Sequence, residues 1–199
     1  IISVAAAIGA SQQVAVSGAV TINIIGNQTH ADVSGATVQG HSGLVSFEAY
    51  DTASIFSISG NAAISTGSAS VGISASYNEI DNVTEATASS ASLSGANVTL
   101  LASEEADIQA IAAGGAGSSK VAATGSLGIN TINNQTSATT TSTGVNTAGD
   151  LNVKATDNSQ MLSITGAIGV AGNAAVGASG SYNHIGNIVL AEISGGSQT

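Results

Sequence analysis

The segment Gly180–Asn187 reads GSYNHIGN, and its pattern Asn-x-Ile-x-Asn occurs at three other places in the chain. The other copies are Asn23–Asn27, Asn78–Asn82 and Asn130–Asn134, so the final asparagines are 55, 52 and 53 residues apart. A motif that returns at a constant period is typical of a building unit, because an enzyme needs one active centre whereas a solenoid needs many equivalent turns. The pattern therefore indicates a repeat protein of about four 53-residue units.

The residues between the asparagines alternate in the manner of β-strands. Segments 71–77 (VGISASY) and 151–155 (LNVKA) place apolar or small side chains at every second position, which predicts strands and not helices. The chain contains no proline, and a long hydrogen-bonded ladder explains this because each proline would remove a donor. Aromatic residues make up only 3% of the chain, so the core must be thin and bounded by closely spaced backbone. The same period separates two further series of residues: Ile1, Ile55, Ile108, Met161; and Ala49, Ala102, Ala155.

These features predict an all-β fold in which residues 1–199 form one region of parallel β-helix, or β-solenoid. Inward rows of Val, Ile and Ala would be covered by the next coil, about 4.8 Å away. A weaker half-period, seen in 45–49, 71–75 and 98–102, favours two coils of about 26 residues in each unit. One flattened coil per unit, with two long facing sheets, is the alternative. The asparagines distinguish the two, since identical side chains form a ladder only when successive copies are one coil apart.

The charge of the chain excludes several kinds of partner. The formal net charge is −10, from twelve acidic residues against Lys120 and Lys154, and arginine is absent. Nucleic acids and anionic membranes require clustered cations, so we expect no nucleic-acid binding. No run of 18 apolar residues occurs, and we therefore also expect no membrane insertion of this segment.

The repeated asparagines are predicted to be structural, because asparagine caps turns and bonds to neighbouring backbone. The positions are Asn23, Asn27, Asn78, Asn82, Asn130, Asn134, Asn183 and Asn187. A second hypothesis is glycan attachment, since four asparagines stand in N-x-T triplets: Asn27, Asn82, Asn97 and Asn134.

The sequence offers few residues for metal binding or catalysis. His30, His41 and His184 lack the spacing of zinc motifs, and no calcium loop is present, so we expect neither a metal nor a cofactor. Acidic residues cluster in 79–85 and 104–107, where a solvated face is the default interpretation. The alternative is a polysaccharide-active β-helix enzyme, a lyase or hydrolase, that uses acid and base carboxylates from Glu79, Asp81 or Glu85.

The stretch GAIGVAGNAAVGASGSYNHIGN (166–187) and its copies resemble the large secreted filamentous adhesins of Gram-negative bacteria, the haemagglutinin-like and leukotoxin-like families. The resemblance covers nearly the whole chain. It implies a right-handed β-helical stalk, exported by an autotransporter or two-partner secretion route and displayed at the outer membrane or released, in the manner of virulence factors. The chain starts and stops within a repeat, so we expect a fragment of a longer protein.

We therefore expect a non-catalytic structural or adhesive stalk, extracellular or at the bacterial cell surface. Its partners would be an unidentified protein or glycan receptor on host cells or matrix, together with the adjacent repeats of the same chain. Segments 34–44, 89–97 and 141–150 differ most between units and are the expected binding loops.

Overall fold

The computed structural model describes all residues from 1 to 199, and the protein consists of β-strands joined by short turns. The strands are β1 (Ile2–Ser11), β2 (Val14–Ile25), β3 (Gln28–Ser34), β4 (Thr37–Gln39), β5 (Leu44–Ser65), β6 (Ala69–Ile80), β7 (Val83–Ser89), β8 (Ser92–Gly95), β9 (Asn97–Ser118), β10 (Val121–Ile132), β11 (Gln135–Thr141), β12 (Gly144–Thr147), β13 (Leu151–Ala171), β14 (Ala174–Ile185) and β15 (Ile188–Ser194). The chain contains no helix that is long and apolar enough to cross a bilayer.

The strands form four sheets in which every pairing between named strands is parallel. Sheet A has the order β1-β5-β9-β13, sheet B β2-β6-β10-β14, sheet C β3-β7-β11-β15 and sheet D β4-β8-β12. Register partners come from successive units: Ile2 faces Phe56, Ala49 faces Ala102, and Asn130 faces Asn183. The predicted parallel β-solenoid is thus confirmed.

Each unit forms one coil, and the expectation of two coils per unit is wrong. Coil 1 comprises β1–β4, coil 2 β5–β8, coil 3 β9–β12 and coil 4 β13–β15. The half-period has another cause, because it marks the two facing arms of a single coil. Residues 45–49 belong to β5 in sheet A, whereas 71–75 belong to β6 in sheet B.

Within a coil, the long strand of sheet A is faced by the other three sheets. Ala63 near the end of β5 lies in one apolar cluster with Ala15 and Ala122, which are near the starts of their strands in sheet B. Sheet B therefore runs back over the second half of sheet A. Sheets C and D cover the first half, where Ala86, Leu93 and Leu100 belong to a second cluster. The structure is a flattened, two-layered stack.

Next to sheet C, the space between sheets A and B holds four isoleucines, Ile55, Ile80, Ile108 and Ile132. Over the rest of its length this space is filled by small side chains. Ser57, Ser59 and Ser74 are fully buried there. At Gly72 the layers are so close that a Cβ atom would overlap the amide nitrogen of Asn61 and lie 2.8 Å from the Gly115 carbonyl oxygen. Only glycine, alanine, serine and similar residues fit such a gap.

Sheet B consequently has most of its aliphatic side chains on the outside. Val71 and Ile73 are exposed, whereas their neighbours Ser70 and Ser74 are buried. The expectation of inward Val and Ile is correct for the first half of sheet A, where Val45 and Val98 are buried, and for the last residue of the sheet B strands, as at Ile80 and Ile132. It is wrong for the rest of sheet B. An alternating pattern marks two faces without saying which is inside.

The corners of the coil follow a repeated backbone conformation. The turn after sheet C has a positive φ at the equivalent residue of every coil: Gly35, Ser90, Ser142 and Gly195, at 61°, 49°, 49° and 66°. The segments expected to be binding loops contain this turn and the short strands of sheet D, so they are largely ordered corners. The corner from sheet D to sheet A does differ between coils, since it comprises residues 40–43, residue 96 and residues 148–150.

Candidate functional site

One asparagine of each repeat motif lies inside the stack, at the end of sheet B. In the four coils these residues are Asn23, Asn78, Asn130 and Asn183, in register along the stack. Each side-chain Nδ2 donates to the Oδ1 of the next coil, at 2.7, 2.7 and 2.8 Å. An amide both donates and accepts, so identical side chains satisfy one another at the spacing of the strands. We call this row the inner asparagine ladder.

The second asparagine of each motif lies at the break between sheets B and C. Asn82 Oδ1 accepts the backbone N–H of Asn27 at 2.9 Å, and Asn134 and Asn187 do the same for Asn82 and Asn134 at 3.2 and 2.9 Å. The side chains thus carry the hydrogen-bond ladder across a point at which neither sheet continues. We call this row, Asn27-Asn82-Asn134-Asn187, the corner asparagine ladder.

The corner asparagine ladder faces a row of carboxylates on sheet A. Asp51, Glu104 and Asp157 are register partners and lie one above another. Asn82 Nδ2 donates to Asp51 at 3.1 Å and to Glu104 at 2.9 Å. Thr29 and Thr84 hydroxyls donate to Asp51 and Glu104 at 2.8 and 2.6 Å, and Asn187 donates to Asp157 at 2.7 Å. Neutral amides and hydroxyls therefore hold the carboxylate row in place of cations.

Glu104 is the central member of this row and is only 1% exposed. Burial raises the pKa of its carboxyl, and the hydrogen bonds from Thr84 and Asn82 oppose this rise in part. The neighbouring Asp51 and Asp157 add to the rise by repulsion. Glu104 was expected on a solvated face, which is wrong, because it occupies an inward position of β9.

Sequence reasoning singled out Glu104 only as part of the acidic cluster 104–107 and did not identify the carboxylate row. A signal existed, since Asp51, Glu104 and Asp157 are 53 and 53 residues apart, the repeat period itself. This series was harder to recognise than the asparagine series, because its residue type alternates between aspartate and glutamate.

The three acidic residues of the enzyme hypothesis have different surroundings. Glu79 lies on the outer face of sheet B and accepts the Tyr77 hydroxyl at 2.7 Å, which raises the pKa of Tyr77. Glu85 lies on sheet C, where its carboxylate is 3.2 Å from His30 Nδ1. Asp81 is exposed in the break between the two strands.

The remaining candidates are distributed over the surface or the interior. No group of three or more His, Cys, Asp or Glu side chains is placed to hold a metal ion. His184 is exposed, with its ring centroid 6.4 Å from that of Tyr182. Of the glycosylation candidates, Asn82 and Asn134 are fully buried and cannot accept a glycan in the folded chain, whereas Asn27 and Asn97 are exposed.

A shallow polar groove lies beside the variable corner between sheets D and A. It has a volume of about 460 Å³ and is lined by Leu44, Asn97, Thr99, Asp150, Leu151 and Asn152. Asn97 Oδ1 accepts the backbone N–H of Asp150 at 2.8 Å and fixes the corner of coil 3 against that of coil 2. The groove is thus built where neighbouring coils differ in length.

The fold and its internal ladders define a parallel β-solenoid with one coil per repeat and amide-stabilised corners. Comparison with protein-family models, with curated proteins and with solved structures found no match for this chain.

Proposed function

We propose that this chain is a non-catalytic stalk segment of a secreted or surface-exposed bacterial adhesin, and that it binds a protein or glycan receptor outside the cell. The observation that carries the proposal is the polar groove beside the corner between sheets D and A. At this corner the connecting segment differs in length from coil to coil, whereas the strands on either side repeat regularly.

Two further features support a scaffold role over an enzymatic one. The carboxylate row accepts internal hydrogen bonds from Asn82, Thr84 and Asn187, so its members join sheet A to the corner asparagines, as a structural role requires. The sequence resemblance to filamentous adhesins supports the extracellular location and the adhesive role.

The test is binding of the fluorescently labelled chain to epithelial cell monolayers and to surfaces coated with fibronectin, laminin or neutral glycans. The double substitution Asp150→Lys with Asn152→Lys changes the charge of the groove. We expect it to weaken binding about tenfold or more, as for other residues at the centre of an interface. The matched control is Ser137→Lys with Glu192→Lys on the outer face of sheet C, which raises the net charge by the same three units and should leave binding unchanged.

Three results would contradict the proposal. The first is that the chain binds none of these surfaces. The second is that both double variants lose binding equally, which would indicate a general charge effect. The third is release of reducing ends from polygalacturonate or neutral glucans with loss of that activity in Glu79→Gln, which would favour the enzyme.

A further inference from the structure

The outer face of sheet B is an apolar surface that no part of the chain covers. Val16, Val20 and Ile22 of coil 1 are 68%, 62% and 67% exposed, and Ile73 and Leu127 of the next two coils are 59% and 47% exposed. Glu79 is the only acidic residue among the outward positions of the sheet, and it lies at the border with sheet C. We call this surface the apolar face.

The size of the apolar face matches what a stable protein interface requires. Strands of 12 residues in four coils cover about 40 Å by about 19 Å, or about 760 Å². The largest apolar patch of an ordinary monomer is about 300–600 Å², whereas a standard interface takes about 800 Å² from each partner.

We propose that the apolar face binds the apolar face of a second copy of this chain. The interface would be isologous. Its twofold axis would lie in the plane of the interface, between β6 and β10 and parallel to the strands, so that coil 1 of one copy lies over coil 4 of the other. This inference does not depend on the adhesive role.

The relief of the apolar face is complementary to itself in this arrangement. A groove of about 390 Å³ crosses coils 2 to 4, and its floor includes Gly125, Ala178 and Gly180. Coil 1 instead carries a ridge that includes Val20 and Ile22. With this axis β2 of one copy lies over β14 of the other in the same strand direction, and because Val20 and Gly180 hold equivalent positions in their strands, Val20 of one copy comes to the groove at Gly180 of the other, twice in each pair.

The distribution of charge permits this contact. Apart from Glu79, the outward acidic side chains of the strands lie on sheet C and on the first half of sheet A, as Glu85, Glu48, Glu105 and Asp107 do. Two copies that meet through sheet B therefore keep most of their charge at a distance from the interface, where salt screens it.

A lipid surface fits the apolar face less well than a second copy. The chain has only two cationic side chains to attract anionic headgroups.

Sedimentation equilibrium of the 199-residue chain tests the proposal, since the monomer has a mass of 19.0 kDa. We expect a dimer at concentrations on the order of 100 μM and a dissociation constant raised more than about tenfold by Val20→Lys with Ile73→Lys. Both residues are exposed, so circular dichroism should be unchanged. The matched control, Ile164→Lys with Ile168→Lys on the outer face of sheet A, should leave the dimer intact.

A double cysteine variant tests the arrangement itself. The chain has no cysteine, and positions 20 and 180 of one copy are three strands apart, about 14 Å, too far for a disulfide within the chain. Val20→Cys with Gly180→Cys should therefore give covalent dimers on oxidation, and Gly180 has open space for the side chain.

The proposal is overturned by any of four results. They are a monomeric wild-type chain, a dimer unaffected by the sheet B lysines as expected for end-to-end stacking, dissociation by the sheet A lysines instead, and absence of the disulfide in an intact dimer. A monomer that pellets with phosphatidylcholine vesicles, and ceases to do so with the sheet B lysines, would assign the face to lipid.

Discussion

Removal of one member of the inner asparagine ladder should destabilise the protein far more than its small volume suggests. Asn78 is fully buried, accepts from Asn23 and donates to Asn130, both at 2.7 Å. Asn78→Ala leaves the Asn23 amide N–H and the Asn130 carbonyl oxygen buried without a partner. Each orphaned group costs about 1–3 kcal/mol, so we expect a loss of about 2–5 kcal/mol of unfolding free energy.

The measurement is urea unfolding followed by circular dichroism and by tyrosine fluorescence, whose coincidence verifies that a single transition is observed. Asn183→Ala is the matched control, because Asn183 lies in the exposed coil 4 and bonds to Asn130 alone within the ladder. It should cost about 0.5–1.5 kcal/mol. Equal losses for the two variants, or a loss below about 1 kcal/mol for Asn78→Ala, would refute the reasoning that the ladder is a chain of buried, mutually satisfied amides.

Three further predictions concern the interior. The fold raises the pKa of Glu104 above 4.5, so the contribution of Glu104 to stability should be fully present below pH 4.5 and be lost as the pH rises through the folded pKa. The variant Glu104→Gln should remove this loss, which urea unfolding midpoints measured from pH 4 to 8 would reveal. Gly72→Ala should cost about 1–3 kcal/mol because no room exists for a Cβ atom, whereas Gly166→Ala, with open space, should be neutral or slightly stabilising in thermal unfolding. Ile108→Ala in the covered coil 3 should cost about 2–5 kcal/mol and Met161→Ala at the equivalent position of coil 4 distinctly less, and equal losses would contradict burial by the next coil.

The sequence was sufficient to predict a stack of parallel strands, because the repeat period is the same whatever the shape of a single coil. The spacing of 52 to 55 residues between Asn82, Asn134 and their neighbours, together with strand alternation, predicts parallel strands that repeat along one axis. The coil number was not predictable in this way. A half-period arises whether two arms of one coil or two whole coils have similar patterns, and 45–49 and 71–75 satisfy both.

The candidate site was predictable in its asparagines and not in its partners. The motif locates Asn78 and Asn82 on every unit, but the facing carboxylates come from a strand about 22 residues away, as in the bond from Asn82 to Glu104. Which of Glu104, Glu105 and Asp107 points inward depends on the phase of β9, and alternation alone does not fix that phase.

The equality of register along the stack has a consequence for how such a gene can change in length. Val83 and Gln135 occupy the same place in successive coils, and so do Asn82 and Asn134. Excision of residues 83–134 would join Asn82 directly to Gln135 and leave a chain that follows the same path with one layer fewer. Duplication of that segment would add a layer by the same rule. Recombination between copies can therefore change the length of the molecule by whole coils, and each product keeps every remaining coil complete.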